Sequence, residues 1–137
     1  MLFVCTHNSA RSIIAEALLR HHGGAGFEAF SAGTQPGQVR PQTLRVLDEA
    51  GIDAAGARSK SVAELLGQPF DYVITVCDQA REACPVFPGA RRTLHWSFAD
   101  PSAATGSEEE RVAAYRQVMG EIDRAVRGFV AQGGATD

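Results

Sequence analysis

The chain has 137 residues, enough for one domain with a substantial core. Its formal net charge of −3 argues against broad nucleic-acid binding, and no apolar run approaches the ~20 residues needed to span a bilayer. Three cysteines behind no visible secretory signal suggest a cytoplasmic protein with reactive thiols rather than a disulfide scaffold.

Taken in order, the pattern alternates strand and helix. Leu2, Phe3 and Val4 form the end of a buried strand. A helix is expected from about Ser12 to His22, with Ile13, Ile14, Ala17 and Leu18 on its buried face and Gly23-Gly24 as its stop. A short second strand is expected over about Phe27 to Ser31. The following loop to Arg40 carries Gly33, Pro36 and Gly37, all turn formers. Pro41 opens a second helix at a tolerated position, with Leu44, Val46 and Leu47 as its apolar side. Ser61 and Glu64 form a capping box for a short helix ending near Gly67. Tyr72 to Val76 is β-branched and aromatic, a central strand, and Thr93 to Trp96 is a fourth. Between them, residues 78–83 have the composition of a short helix. Ser107 and Glu110 cap the last helix. Its stripe Val112, Tyr115, Met119, Ile122, Val126 and Phe129 is a core face. The alternation implies one α/β domain over residues 1–132, a parallel sheet with helices on both faces, and a frayed tail over 133–137.

Ligands of such sheets bind at the C-terminal ends of the strands. There the chain places Cys5, Thr6, His7, Asn8, Ser9, Ala10 and Arg11, between the first strand and the first helix. Backbone N–H groups converging at a positive helix end can hold a tetrahedral oxyanion without a metal. Arg11 can close over it with a two-pronged contact. The helix end, the guanidinium and the Ser12 hydroxyl all favour the thiolate of Cys5, the nucleophilic form. Small residues at Ser9 and Ala10 let the backbone close round the ligand. Asp100, before Pro101, is placed to protonate a leaving oxygen or merely to start a turn. No aromatic residue among Ser102, Ala103 and Ala104 is there to flank a phosphotyrosine ring.

Cys77 follows the third strand and Cys84 lies seven residues on. In a helix these two thiols are about two turns apart and too distant to bond, but if the segment unwinds they meet. Three thiols permit a relay: Cys5 attacks the oxyanion, Cys77 attacks the adduct at Cys5, and Cys84 moves the disulfide away for an external thiol to reset. Phosphate cannot accept electrons this way, whereas arsenate can. The four histidines lack metal-ligand spacing, so no metal or other cofactor is expected. His7 faces either the oxyanion or solvent, and His95 and Trp96 are packing residues.

The loop CTHNSARS, the segments SAGT at Ser31 to Thr34 and RSKS at Arg58 to Ser61, the run VCDQAREACPVFPG and the Asp100-Pro101 pair resemble the arsenate reductases built on the low-molecular-weight protein tyrosine phosphatase fold. The resemblance spans Phe3 to about Phe129 and implies a four-stranded parallel sheet in the order 2-1-3-4. It implies Cys5 as nucleophile, Arg11 as oxyanion clamp, Ser12 as thiolate stabiliser, Asp100 as general acid, and Cys77 and Cys84 as relay thiols. The substrate would be arsenate, with phosphate or sulfate as analogues. The reductant would be thioredoxin, glutaredoxin or a small thiol, and the protein a monomer. Asn8, Glu16 and Ser31 match a potassium site held by some members, but Lys60 stands in place of its aspartate. The expectation is that the Lys60 ammonium occupies the cation position, pairs with Glu16 and makes the protein indifferent to potassium. The rival readings are a low-molecular-weight phosphatase and a non-catalytic oxyanion-binding regulatory domain.

Overall fold

A computed structural model describes residues 1–54, 56–77, 80, 87 and 89–132. Strands β1 (Leu2–Cys5), β2 (Phe30–Gly33), β3 (Tyr72–Thr75) and β4 (Arg92–His95) form one sheet in the order β2-β1-β3-β4. Every pairing is parallel. Helices α1 (Arg11–Gly23), α2 (Pro41–Glu49) and α3 (Glu108–Ala131) flank the sheet, with short 3₁₀ turns at Gly24–Gly26, Val62–Leu65 and Pro101–Ala103.

Strand β1 is buried along its whole length, as expected of a central strand in a doubly covered parallel sheet. Side chains alternate between the two faces, and two aromatic clusters mark them. On one face Phe3, Tyr72 and Trp96 gather with Phe27 round Phe129 of α3. On the other, Phe30, Phe70 and Phe87 stack edge to face. Helices α1 and α3 pack together, and α2 leans on both.

Both capping boxes form as their sequences dictate. The Ser61 and Ser107 hydroxyls accept backbone N–H bonds, and Glu64 and Glu110 reach back to the cap. Three expectations need correction. Strand β2 starts at Phe30 rather than Phe27, because Gly24–Gly26 turns in a 3₁₀ loop that delays the extended run. Leu44 is exposed at 41%, so α2 is anchored by Val46, Leu47 and Thr43. In α3 the buried residue at the third turn is Val118, and Met119 only flanks the core. Of the expected helix over 78–83 only Ala80 is described, and Cys84 and the tail 133–137 lie outside the described residues.

Candidate active site

Strand β1 delivers Cys5 to the C-terminal edge of the sheet, and α1 starts at Arg11. The intervening loop is held from outside by its carbonyl groups. Thr34 N–H donates to Cys5 O (3.1 Å), Gln35 N–H to Thr6 O (2.8 Å), Gly37 N–H to His7 O (3.0 Å) and Arg40 N–H to Ser9 O (3.1 Å). The Ser59 hydroxyl donates to Asn8 O at 2.6 Å. A trans peptide sets its N–H opposite its C=O. With successive carbonyls tied outward, the N–H groups of Thr6, His7, Asn8, Ser9 and Ala10 turn into the concavity, a cradle suited to an oxyanion. Asn8 illustrates this, for its N–H donates to Cys5 Sγ at 3.2 Å.

Asn8 has φ of 50°, the one non-glycine residue with positive φ among those described. Asparagine tolerates this region because its short amide bonds locally. Here Asn8 Oδ1 accepts from Lys60 N–H (2.9 Å), which fixes the amide so that Nδ2 donates to Ser12 Oγ (2.7 Å). Ser12 Oγ lies 2.8 Å from Cys5 Sγ. Since Ser12 already accepts from Asn8, its own proton is free to point at the sulfur, the arrangement a thiolate needs. Gly33 makes the close approach possible: a Cβ there would sit 2.7 Å from Thr6 O and 3.0 Å from Asn8 N.

Arg11 Nη1 donates to Phe98 O at 3.0 Å, and Nη2 lies 3.8 Å from Asp100 Oδ2. Asp100 also caps its own turn, with Ser102 N–H and Oγ donating to Oδ1 at 2.9 and 2.7 Å. Asp100 thus starts its turn, as expected, and also lies beside Arg11. Partial burial would raise the Asp100 carboxyl. The Ser102 hydroxyl and N–H, with the charges of Arg11 and Arg40, outweigh it and hold the group below its ordinary value. Asp100 is therefore a carboxylate at neutral pH.

Cys77 is buried at the end of β3, with Sγ 3.4 Å from Thr6 Oγ1. The sheet register brings β3 alongside β1 here, with Val76 N–H donating to Val4 O at 2.9 Å. A second thiol therefore stands beside the residue that follows Cys5. Among the described residues both cysteines are free thiols.

The expected Lys60–Glu16 pair is not formed. Glu16 accepts from Ser31 Oγ (2.7 Å) and Arg20 Nη2 (3.1 Å), and Lys60 Nζ turns to Arg58 O at 3.2 Å. A guanidinium one turn along the same helix reaches Glu16 first. Burial lowers the Lys60 ammonium below its ordinary value, and the charge of Glu16 partly restores it, so the two groups still sense each other. His7 is exposed and bonds Gln35 O through Nδ1, while His95 Nδ1 lies 2.7 Å from Thr75 Oγ1. Ser59 is a support that sequence reasoning did not single out, and Gly33, expected only as a turn former, ends β2 against the cradle; both lie inside the quoted segments RSKS and SAGT.

The family model for low molecular weight phosphotyrosine protein phosphatase matches residues 1–135. The chain belongs to this family. Within the wider family, an arsenate reductase of Halalkalibacterium halodurans is 35% identical over 131 residues, covering 96% of this chain and 94% of that protein. The crystal structure of arsenate reductase from Archaeoglobus fulgidus matches with a TM-score of 0.77 at 32% identity, covering 95% and 98% of the two chains. A thioredoxin-dependent arsenate reductase of Corynebacterium glutamicum gives a TM-score of 0.71 at 32% identity, over 96% of this chain and 60% of that one. The phosphatase-family sheet order is the one seen here.

Proposed function

We propose that this protein is an arsenate reductase that works through three thiols and an external thiol reductant. One observation carries the reading beyond a phosphatase: the Cys77 thiol stands 3.4 Å from Thr6, next to the nucleophile's own loop. Phosphate-ester hydrolysis has no use for a second thiol there. The full-length similarity to arsenate reductases supports the same choice.

In the proposed sequence, arsenate seats in the cradle with Arg11 drawn from Phe98 O onto its oxygens. The Cys5 thiolate, stabilised by Ser12, attacks arsenic. An S–As bond forms, and an oxygen leaves as water with a proton relayed by Asp100. Asp100 starts ionised, so it takes that proton from the protonated substrate before returning it. The Cys77 thiolate then attacks Cys5 Sγ. The S–As bond breaks, its electron pair stays on arsenic and arsenite leaves, with a Cys5–Cys77 disulfide left behind. Cys84 displaces Cys5 from Cys77, and an external dithiol such as thioredoxin reduces the Cys77–Cys84 bridge. The protein would act as a cytoplasmic monomer without a bound cofactor.

The test is arsenate reduction by Cys5→Ser, Cys77→Ser and Cys84→Ser with thioredoxin, alongside hydrolysis of p-nitrophenyl phosphate. All three variants should lose reduction, and only Cys5→Ser should lose the weak hydrolysis. Normal reduction by Cys84→Ser would sink the three-thiol scheme. Hydrolysis without reduction in the unmodified protein would return it to the phosphatases.

A further inference from the structure

Arg40 stands on the rim of the same site and has no part in the scheme above. Its N–H and the Thr43 hydroxyl both donate to Ser9 O, at 3.1 and 2.9 Å, so its backbone is bolted to the cradle. A cleft of about 380 Å³ opens beside it, walled by His7, Ser9, Gly37 and Arg40. The guanidinium is exposed and makes no hydrogen bond or ion pair among the described residues. Arg11, by contrast, is 15% exposed and already engaged with Phe98 O and Asp100.

Helix physics does not explain an arginine here. Arg40 is the N-cap of α2 and supplies no side-chain cap. Serine, asparagine or aspartate would accept an N–H bond at that position, and a cation at a helix N-terminus opposes the dipole. A residue that breaks a local rule beside a functional cradle points to a role there. The surroundings supply one. The chain is net negative, so an approaching anion meets a repulsive background. Arg40 is the exposed positive charge whose field reaches both Asp100 and the Tyr115 ring that packs under Ala10.

We propose that Arg40 is a second cation of the oxyanion site, which draws the anion onto the cradle before Arg11 closes on it and sets its affinity. The proposal rests on the oxyanion reading given above. It predicts that Arg40→Gln weakens protection of Cys5 from iodoacetamide by inorganic phosphate and raises the arsenate KM, each about three- to tenfold at low salt, with kcat nearly unchanged. The loss should shrink as salt is added. Arg124→Gln removes the same charge from an exposed position on α3 and should leave both constants alone. Arg40→Ser should raise Tm through better capping while losing affinity as Arg40→Gln does. A readout beyond binding comes from Asp100. With Arg40 neutral its carboxyl protonates at higher pH, so the limb of the kcat/KM profile it governs moves upward. Unchanged phosphate protection in Arg40→Gln, or an equal loss in Arg124→Gln, overturns the proposal. If the unmodified protein shows no phosphate protection, the oxyanion reading itself falls and this proposal with it. If it binds and reduces normally and only Arg40→Gln is silent, the inference alone fails.

Discussion

The two sides of the site are held in different ways. The Cys5 cradle is fixed by groups far along the chain: Thr34, Gln35, Gly37, Arg40, Thr43, Ser59 and Lys60 all bond to it. The Asp100 side is held by its neighbours, because Ser102 supplies both hydrogen bonds to the carboxylate. Its carboxylate meets Arg11 at 3.8 Å, and Arg11 also bonds Phe98 O in the same loop. Cys5 is thus placed by the whole fold, whereas Asp100 sits on a local turn docked against it. Changes to the cradle's supports should cost stability and activity together. Changes at Asp100 should cost activity alone.

The sharpest test of that contrast is Gly33→Ala. The added Cβ meets backbone at 2.7 and 3.0 Å, which cannot swing aside as a side chain would. Stability should fall by about 1–3 kcal/mol or more, with almost complete loss of turnover, read by thermal melting and by assay. An Asp100→Asn variant should lose roughly a hundredfold or more in turnover with Tm nearly unchanged at pH 7. Any contribution Asp100 makes to stability follows its lowered carboxyl. It is present above the ordinary carboxylate range and lost as pH falls through the folded-state value, so the small difference in Tm between the two proteins at pH 7 should vanish in acid melts.

Ser12→Ala removes the donor at 2.8 Å from the sulfur, and alkylation of Cys5 by iodoacetamide at pH 7 should slow about tenfold. Asn8→Gly keeps the positive φ but drops both amide bonds, whereas Asn8→Ala loses both. The glycine variant should therefore melt higher than the alanine variant while reacting equally slowly at Cys5. If Asn8→Ala melts like the unmodified protein, the cradle is not held by its supports and the comparison breaks. The smallest effect is expected at Leu44→Ser. That side chain is exposed, and the change should stay within about 0.5 kcal/mol by denaturant titration.

Much of this was legible along the chain. Strand β1, the capped helix α3 and the Ser61 turn follow from apolar period and capping boxes, which act over three or four residues. So does the position of Cys5 and Arg11 at a strand-to-helix turn. Where reading failed, a competing contact decided. Lys60 was expected to meet Glu16, but Arg20 and Ser31 hold that carboxylate. Leu44 fits an apolar stripe, yet α2 rolls so that Thr43 reaches Ser9 O, and Leu44 is left outside.

By itself the sequence determined which residue types stand at the turn and how the elements alternate, because hydrophobic periodicity and capping are local properties. Only the tertiary structure decided that the loop's carbonyls are all turned outward and that the Ser12 proton is left for Cys5. The same holds for Cys77 beside Thr6 and Arg40 on the rim. Those facts depend on hydrogen bonds between residues 29 to 71 positions apart, such as Thr6 with Cys77 or Asn8 with Lys60, and no local pattern encodes such pairings.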